Sequence, residues 1–165
     1  MNAYRNRLLG LLGPDDPFEV LQRTPARVRK LFERLGPAGL DRPFDPGKWN
    51  GRQVLGHLAD VEQAIGYRIR QVVTEADGRR VQGFDQDLWA GPYPRLDAGA
   101  AVRAFEALRA WNLGYYHSFG PADLAKISLH AERGEESVET MIRMLAGHDR
   151  NHLAQLERIA AGGSK

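Results

Sequence analysis

The strongest constraint on the fold is an apolar stripe near the C-terminus. Val138, Met141, Ile142, Leu145, Leu153, Leu156 and Ile159 recur at spacings of three, four and seven. That is one face of a long helix, predicted over Glu139 to Ala160, with Ser137 as its cap. Such a helix is stable only if its stripe is buried against other helices. Two histidines, His148 and His152, lie within or at the edge of the stripe. Four residues apart, they sit one turn apart on the same side. Each needs a polar partner once buried, and a divalent metal can serve both if another residue completes the site.

Three further stripes supply the packing partners. Asp15 or Asp16 can cap a helix that starts at Pro17 and carries Leu21, Thr24, Val28, Leu31 and Leu35. Pro25 either kinks this helix or opens a new one capped by Thr24, and Gly36-Pro37 ends it. Asn50 caps a second helix, about Gly51 to Ala76, with Val54, Leu58, Val61, Ile65, Ile69 and Val72 on one face. His57 lies at the edge of that face. The third helix, about Ala98 to Phe119, presents Val102, Phe105, Leu108, Asn112, Tyr115, Tyr116 and Phe119. Residues 1–14 read as a tail or a short lead-in turn. No alternating strand pattern or internal repeat is visible. Four amphipathic helices predict a single all-α domain, a four-helix bundle.

The connection at 77–97 is rich in Gly, Pro and Asp, with Phe84, Trp89 and Tyr93 embedded in it. Its length lets the second and third helices run parallel. A segment this long is usually functional or packed over something. Residues 122–136 form another connection, which contains His130.

Composition narrows the chemistry. The 165 residues include no cysteine, which excludes thiolate ligands, disulfides and a cysteine nucleophile. Any metal site must use nitrogen and oxygen. Net charge is only +2, and basic residues are interspersed with acids, so nucleic-acid binding is not expected. No apolar run reaches 18 residues, and the N-terminus lacks a signal core, so no membrane span is expected and a cytoplasmic protein is the default.

His57, His148 and His152 then form a candidate set from two helices. Three neutral imidazoles suit a zinc- or nickel-like ion and leave a position open for water or a small-molecule substrate. HDRNH shares the histidine spacing of the HExxH zinc proteases but has Asp149 where their glutamate stands. Asp149 either orients a ligand as an outer carboxylate or belongs to a buried hydrogen-bond network. Trp49 and Trp89 either wall the site or cap the core. His117 and His130 fall outside the ligand set, His117 near a helix C-terminus and His130 in a loop.

The stretches LQRTPARVRKLF, PGKWNGRQVLGHLADVE, FDQDLWA and HAERGEESVETMIRMLAGHDRNHLAQLERI carry a resemblance across roughly residues 17–160. In order and spacing the chain resembles the DinB-like superfamily, the DNA-damage-inducible and bacillithiol-transferase-like proteins. The resemblance implies an up-down-down-up four-helix bundle, often a homodimer. It also implies a divalent metal on His57, His148 and His152. It points to an S-transferase that activates a low-molecular-weight thiol cofactor. A metal-dependent hydrolase and a non-catalytic metal- or ligand-binding bundle are the alternatives.

Overall fold

The computed structural model describes residues 2–162. Its elements are α1 (Ala3–Leu12), α2 (Pro17–Leu40), α3 (Gly51–Arg70), β1 (Arg79–Val81), α4 (Gln86–Ala90), α5 (Ala98–Tyr116), α6 (Pro121–Ala125), β2 (Ile127–His130), β3 (Gly134–Ser137) and α7 (Val138–Ala160). Helices α2, α3, α5 and α7 form the bundle. Helix α2 packs on α5 and α7, and α3 packs on the same two.

Side-chain pairs set the directions. Arg109 of α5 donates to the Leu21 carbonyl, and Arg29 pairs with Glu106, so α2 and α5 are antiparallel. Asn112 donates to the Glu62 carbonyl while Arg70 donates to Asn112. Strand β1 follows α3, β2 follows α5, and the two strands pair in parallel, so α3 and α5 leave the bundle at the same end. Arg27 reaches Glu157 farther along both α2 and α7 than the Leu21–Asp149 level, so those two run together. The topology is up-down-down-up.

The helix boundaries follow from the sequence. Asp16 accepts from the Phe18 and Glu19 amides and starts α2 with Pro17 in its first turn. Helix α2 continues through Pro25. A proline cannot donate to the carbonyl four residues back, which is that of Leu21. Arg109 Nη1 supplies the missing donor at 2.9 Å, so the buried carbonyl stays satisfied. At Gly36, φ is 58°, and the helix breaks there before one more turn carries it to Leu40. Asn50 and Gln53 form a reciprocal capping box at the start of α3. A π-helical turn, Gln71–Glu75, ends it.

Three regions differ from the sequence expectation. Where the sequence suggests a tail or a short lead-in turn, Ala3–Leu12 is a helix, capped by Asn2, with Leu8 and Leu12 fully buried against α7. Its weak apolar periodicity concealed it. Residues 122–136 contain a short helix and the β2–β3 hairpin, and β1 from the earlier connection completes a three-stranded sheet in the order β1-β2-β3. Strands of three and four residues are too short to show alternation. The third helix stops at Tyr116 rather than near Phe119.

The 77–97 connection is held against α3. Gly56 leaves room for the Tyr93 ring, which an added Cβ would meet at 2.8 Å, and the Tyr93 hydroxyl donates to Asp60. No helix of the described residues is long and apolar enough to cross a membrane.

Candidate metal centre

The core divides into two apolar clusters, one around Val28, Leu55, Phe105 and Leu156, the other around Leu21, Ile69, Tyr116 and Ile142. Polar side chains of α3, α5 and α7 lie between them, in two groups that do different things.

The first group holds His57 from α3 and His148 and His152 from α7, all buried. One nitrogen from each ring lies within 4.8 Å of the others. The His57 and His148 Nε2 atoms are 2.9 Å apart. His152 Nδ1 lies 2.7 Å from Gln155 Oε1, so Nδ1 carries the proton and the Nε2 lone pair is left for the site. Trp49 closes the group, edge-on to His57 at 4.8 Å and stacked on His152 at 6.3 Å between ring centroids. Phe84 approaches His57 at 6.5 Å and packs on Trp89 at 4.4 Å. Both tryptophans thus stand at the site: Trp49 directly, Trp89 through Phe84.

Burial is the main reason these imidazoles stay neutral. It lowers His57 to about 3, with repulsion from His152 adding to the shift. It lowers His152 to about 4 against the opposing pull of Gln155. It also holds His148 well below the ordinary histidine range, helped by His152 and His57. Neutral imidazole is the form that binds metal.

These residues fit a divalent cation. His57 and His148 share one short Nε2 contact, and their Nδ1 atoms find no partner among the described residues. Two buried rings satisfied only by each other are costly, whereas a cation among converging lone pairs satisfies three at once. The donor set is all nitrogen, as the absence of cysteine requires.

The second group is Glu62, Arg109, Asn112 and Asp149. Arg109 donates to both Asp149 oxygens at 2.7 and 3.1 Å and to Glu62 at 2.9 Å, and all three residues are buried. Burial opposes the Arg109 charge, but Asp149 and Glu62 outweigh it and hold the guanidinium protonated. Burial raises the Asp149 carboxyl, with Arg109 pulling the other way. Among the described residues Asp149 has no hydrogen bond to His57, His148 or His152. Of its two sequence roles, the buried network is the one observed. Arg109 was missed in the sequence, although position 109 continues the Val102, Phe105, Asn112 stripe.

The other histidines separate. His117 caps α5 and stacks on Phe18 at 5.0 Å, away from the site. His130 is not a loop residue: it ends β2, is buried, and lines the same cavity as His57 and His148.

Known proteins agree with this architecture. The structure of YfiT from Bacillus subtilis, described as "a probable metal-dependent hydrolase with an unusual four-helix bundle topology", matches with a TM-score of 0.83. The match is 20% identical and covers 90% of this chain and 87% of that one. A Bacillus mycoides protein named "Putative metal-dependent hydrolase" is 26% identical over 146 residues, 88% of this chain and 84% of its own. An Oceanobacillus iheyensis protein of the same description is 29% identical over 140 residues, 84% of this chain and 81% of its own. The DinB superfamily model matches residues 21–156, which include all three histidines, and the chain belongs to that superfamily.

Proposed function

We propose that this protein is a metal-dependent hydrolase of a small molecule, with one divalent ion held by His57, His148 and His152. The observation that carries the reading is the convergence of three buried, neutral imidazoles on one point beside a cavity. The names of the relatives support hydrolysis. The S-transferase expected from the sequence resemblance finds no such support, and hydrolysis takes its place. An all-nitrogen donor set suits zinc or nickel.

A divalent ion there supplies Lewis acidity and acidifies water. The chain's own residues do the rest. Gln155 fixes the His152 tautomer so that Nε2 faces the site. Trp49 and Phe84 shield the histidines from bulk water. Two cavities meet the histidines, one of about 260 Å³ lined by His57 and His148 and one of about 420 Å³ lined by His148, His152 and Trp49, and both suit a small substrate. In hydrolysis the water oxygen joins the carbonyl carbon and the bond to the leaving oxygen or nitrogen breaks. The leaving group takes one proton and the acid product the other. Asp149, held by Arg109, is not placed to move that proton.

The test is elemental analysis of untagged protein, followed by hydrolysis of activated esters and anilides by the zinc, nickel and cobalt forms. Turnover that disappears in His152→Ala supports the reading. A cobalt spectrum changed by bacillithiol, mycothiol or glutathione, with no hydrolysis, overturns it in favour of thiol transfer.

A further inference from the structure

The cavity lined by His57 and His148 has a second polar end that hydrolysis does not use. Between the two ends its wall is apolar: Val61, Ile65, Phe84, Met141 and Leu145. His57, Val61, Ile65 and Arg68 follow one face of α3, and all four line the cavity. The Arg68 side chain belongs on the turn before its own Cα, which brings it back toward His57. Phe84 touches both ends, with its ring 6.5 Å from that of His57 and 5.7 Å from Arg68 Cζ.

At this far end one cation lacks an ion-pair partner and one donor lacks an acceptor. Arg68 is buried, and its guanidinium donates to the Gln82 carbonyl. Among the described residues no carboxylate lies within the 4.0 Å ion-pair distance of it. His130 is 3% exposed. Its Nδ1 accepts the Glu132 amide at 3.2 Å, so in the neutral ring Nε2 carries the proton. That Nε2 is buried without a partner. A Cβ added at Gly83 would lie 3.7 Å from it and 3.5 Å from Glu132 Oε1, so the missing side chain leaves room between the imidazole and that carboxylate. The other buried charges cancel, because Arg133 holds Glu136 through two bonds of 2.7 and 2.9 Å. Glu132 is exposed at the rim. Arg68 feels both carboxylates at a distance but is left without an ion-pair partner of its own.

We propose that Arg68 and His130 form a carboxylate-binding subsite, so that the molecule taken at the histidine end carries a monoanionic carboxylate across an apolar spacer. The inference rests on the hydrolase reading for what happens at the other end. A planar carboxylate matches the guanidinium fork and leaves an oxygen for His130. A monoanion suits one cation without an ion-pair partner, whereas a phosphate dianion would bring a second negative charge up to Glu132 and Glu136, which line the same end.

Calorimetry on the full chain as purified tests this with phenylacetate, phenylacetamide and phenethylamine, none of which needs to be turned over. Phenylacetate should bind at least about tenfold tighter than the amide, as expected for a charge-assisted pair. Arg68→Gln should abolish that preference, Arg68→Lys should keep part of it, and His148→Ala should leave it unchanged. Equal binding of acid and amide overturns the proposal. So does a preference that survives Arg68→Gln and is lost in His148→Ala, which would place the carboxylate at the histidines. If Arg68→Gln does not fold, the His130 Nε2–H resonance of the wild-type chain decides: it should shift with phenylacetate, and an unmoved signal overturns the proposal. Loss of hydrolysis with an intact acid preference would count against the hydrolase reading alone.

Discussion

His57 and His148 meet through their Nε2 atoms, 2.9 Å apart, although 91 residues separate them in the chain. Helix α3 runs antiparallel to α7, so the contact depends on the bundle and not on either helix alone. The bundle does not depend equally on the contact, since its two apolar clusters lie on either side. His148→Ala and His152→Ala should therefore each lose the metal while far-ultraviolet circular dichroism stays unchanged. Gln155→Leu removes only the partner of His152 Nδ1 and should weaken metal affinity about 10- to 100-fold. Metal content after dialysis against a graded chelator separates these cases. Unfolding of the two alanine variants at room temperature would make the site structural.

Acid should destabilise the metal-free protein through the same histidines. In the unfolded chain they titrate near 6.5, and in the fold His57 falls to about 3 and His152 to about 4. The unfolded state therefore binds more protons between those values, and stability rises with pH in that window. It is fully present above 6.5 and is lost as pH falls toward 4. The slope is at most about 1.4 kcal/mol per pH unit for each neutral histidine. Urea midpoints measured from pH 7 to pH 4 should fall, and His57→Phe should flatten the fall. A midpoint that holds steady to pH 4 would refute the buried, neutral state.

The bundle was legible because each main helix carries its own record: a stripe, and a cap such as Asn50 or Ser137. The histidine set was legible for the same reason, since helical spacing alone places His148 and His152 on one face. Helix α1 was not, because Leu8 and Leu12 are its only buried residues and two positions are too few to make a stripe. Arg109 is not legible there, because a charged residue on an apolar stripe reads as a break in it. Only the fold reveals that Glu62, Asp149 and the carbonyl freed by Pro25 all wait for that guanidinium. His130 depends on a hairpin whose strands are too short to show a pattern.

Arg109→Met should be severely destabilising. It leaves Asp149 and Glu62 buried without their cation, which costs about 3–5 kcal/mol for a broken buried pair. It also leaves the Leu21 carbonyl without a donor. Pro25→Ala restores an amide four residues after Leu21, so the double variant should recover about 1 kcal/mol of the loss. Urea denaturation of the four members of this cycle measures the coupling. Strict additivity would mean that Arg109 does not stand in for the proline's missing hydrogen.

The N-terminal helix allows a separate test, because one glycine sets how closely it docks. A Cβ on Gly147 of α7 would lie 2.0 Å from the Leu8 carbonyl oxygen and 2.7 Å from its carbon, both backbone atoms that no rotamer can move. Gly147→Ala must therefore push α1 outward, at about 1–3 kcal/mol for an overpacked contact. Arg150, which donates to the Leu11 and Leu12 carbonyls at 3.0 and 2.9 Å, should lose both bonds. Hydrogen exchange should accelerate at residues 3–12 while α3 and α7 stay protected. Metal content should not change, since α1 holds none of the three histidines. The Arg68–His130 cavity should open, because Asn2, Tyr4 and Leu8 form part of its wall. Gly10→Ala is the control: a Cβ there meets nothing within 4 Å, so helix propensity alone should stabilise α1 by about 0.5–1 kcal/mol. If the two alanines behave alike, α1 does not sit against α7 at this distance.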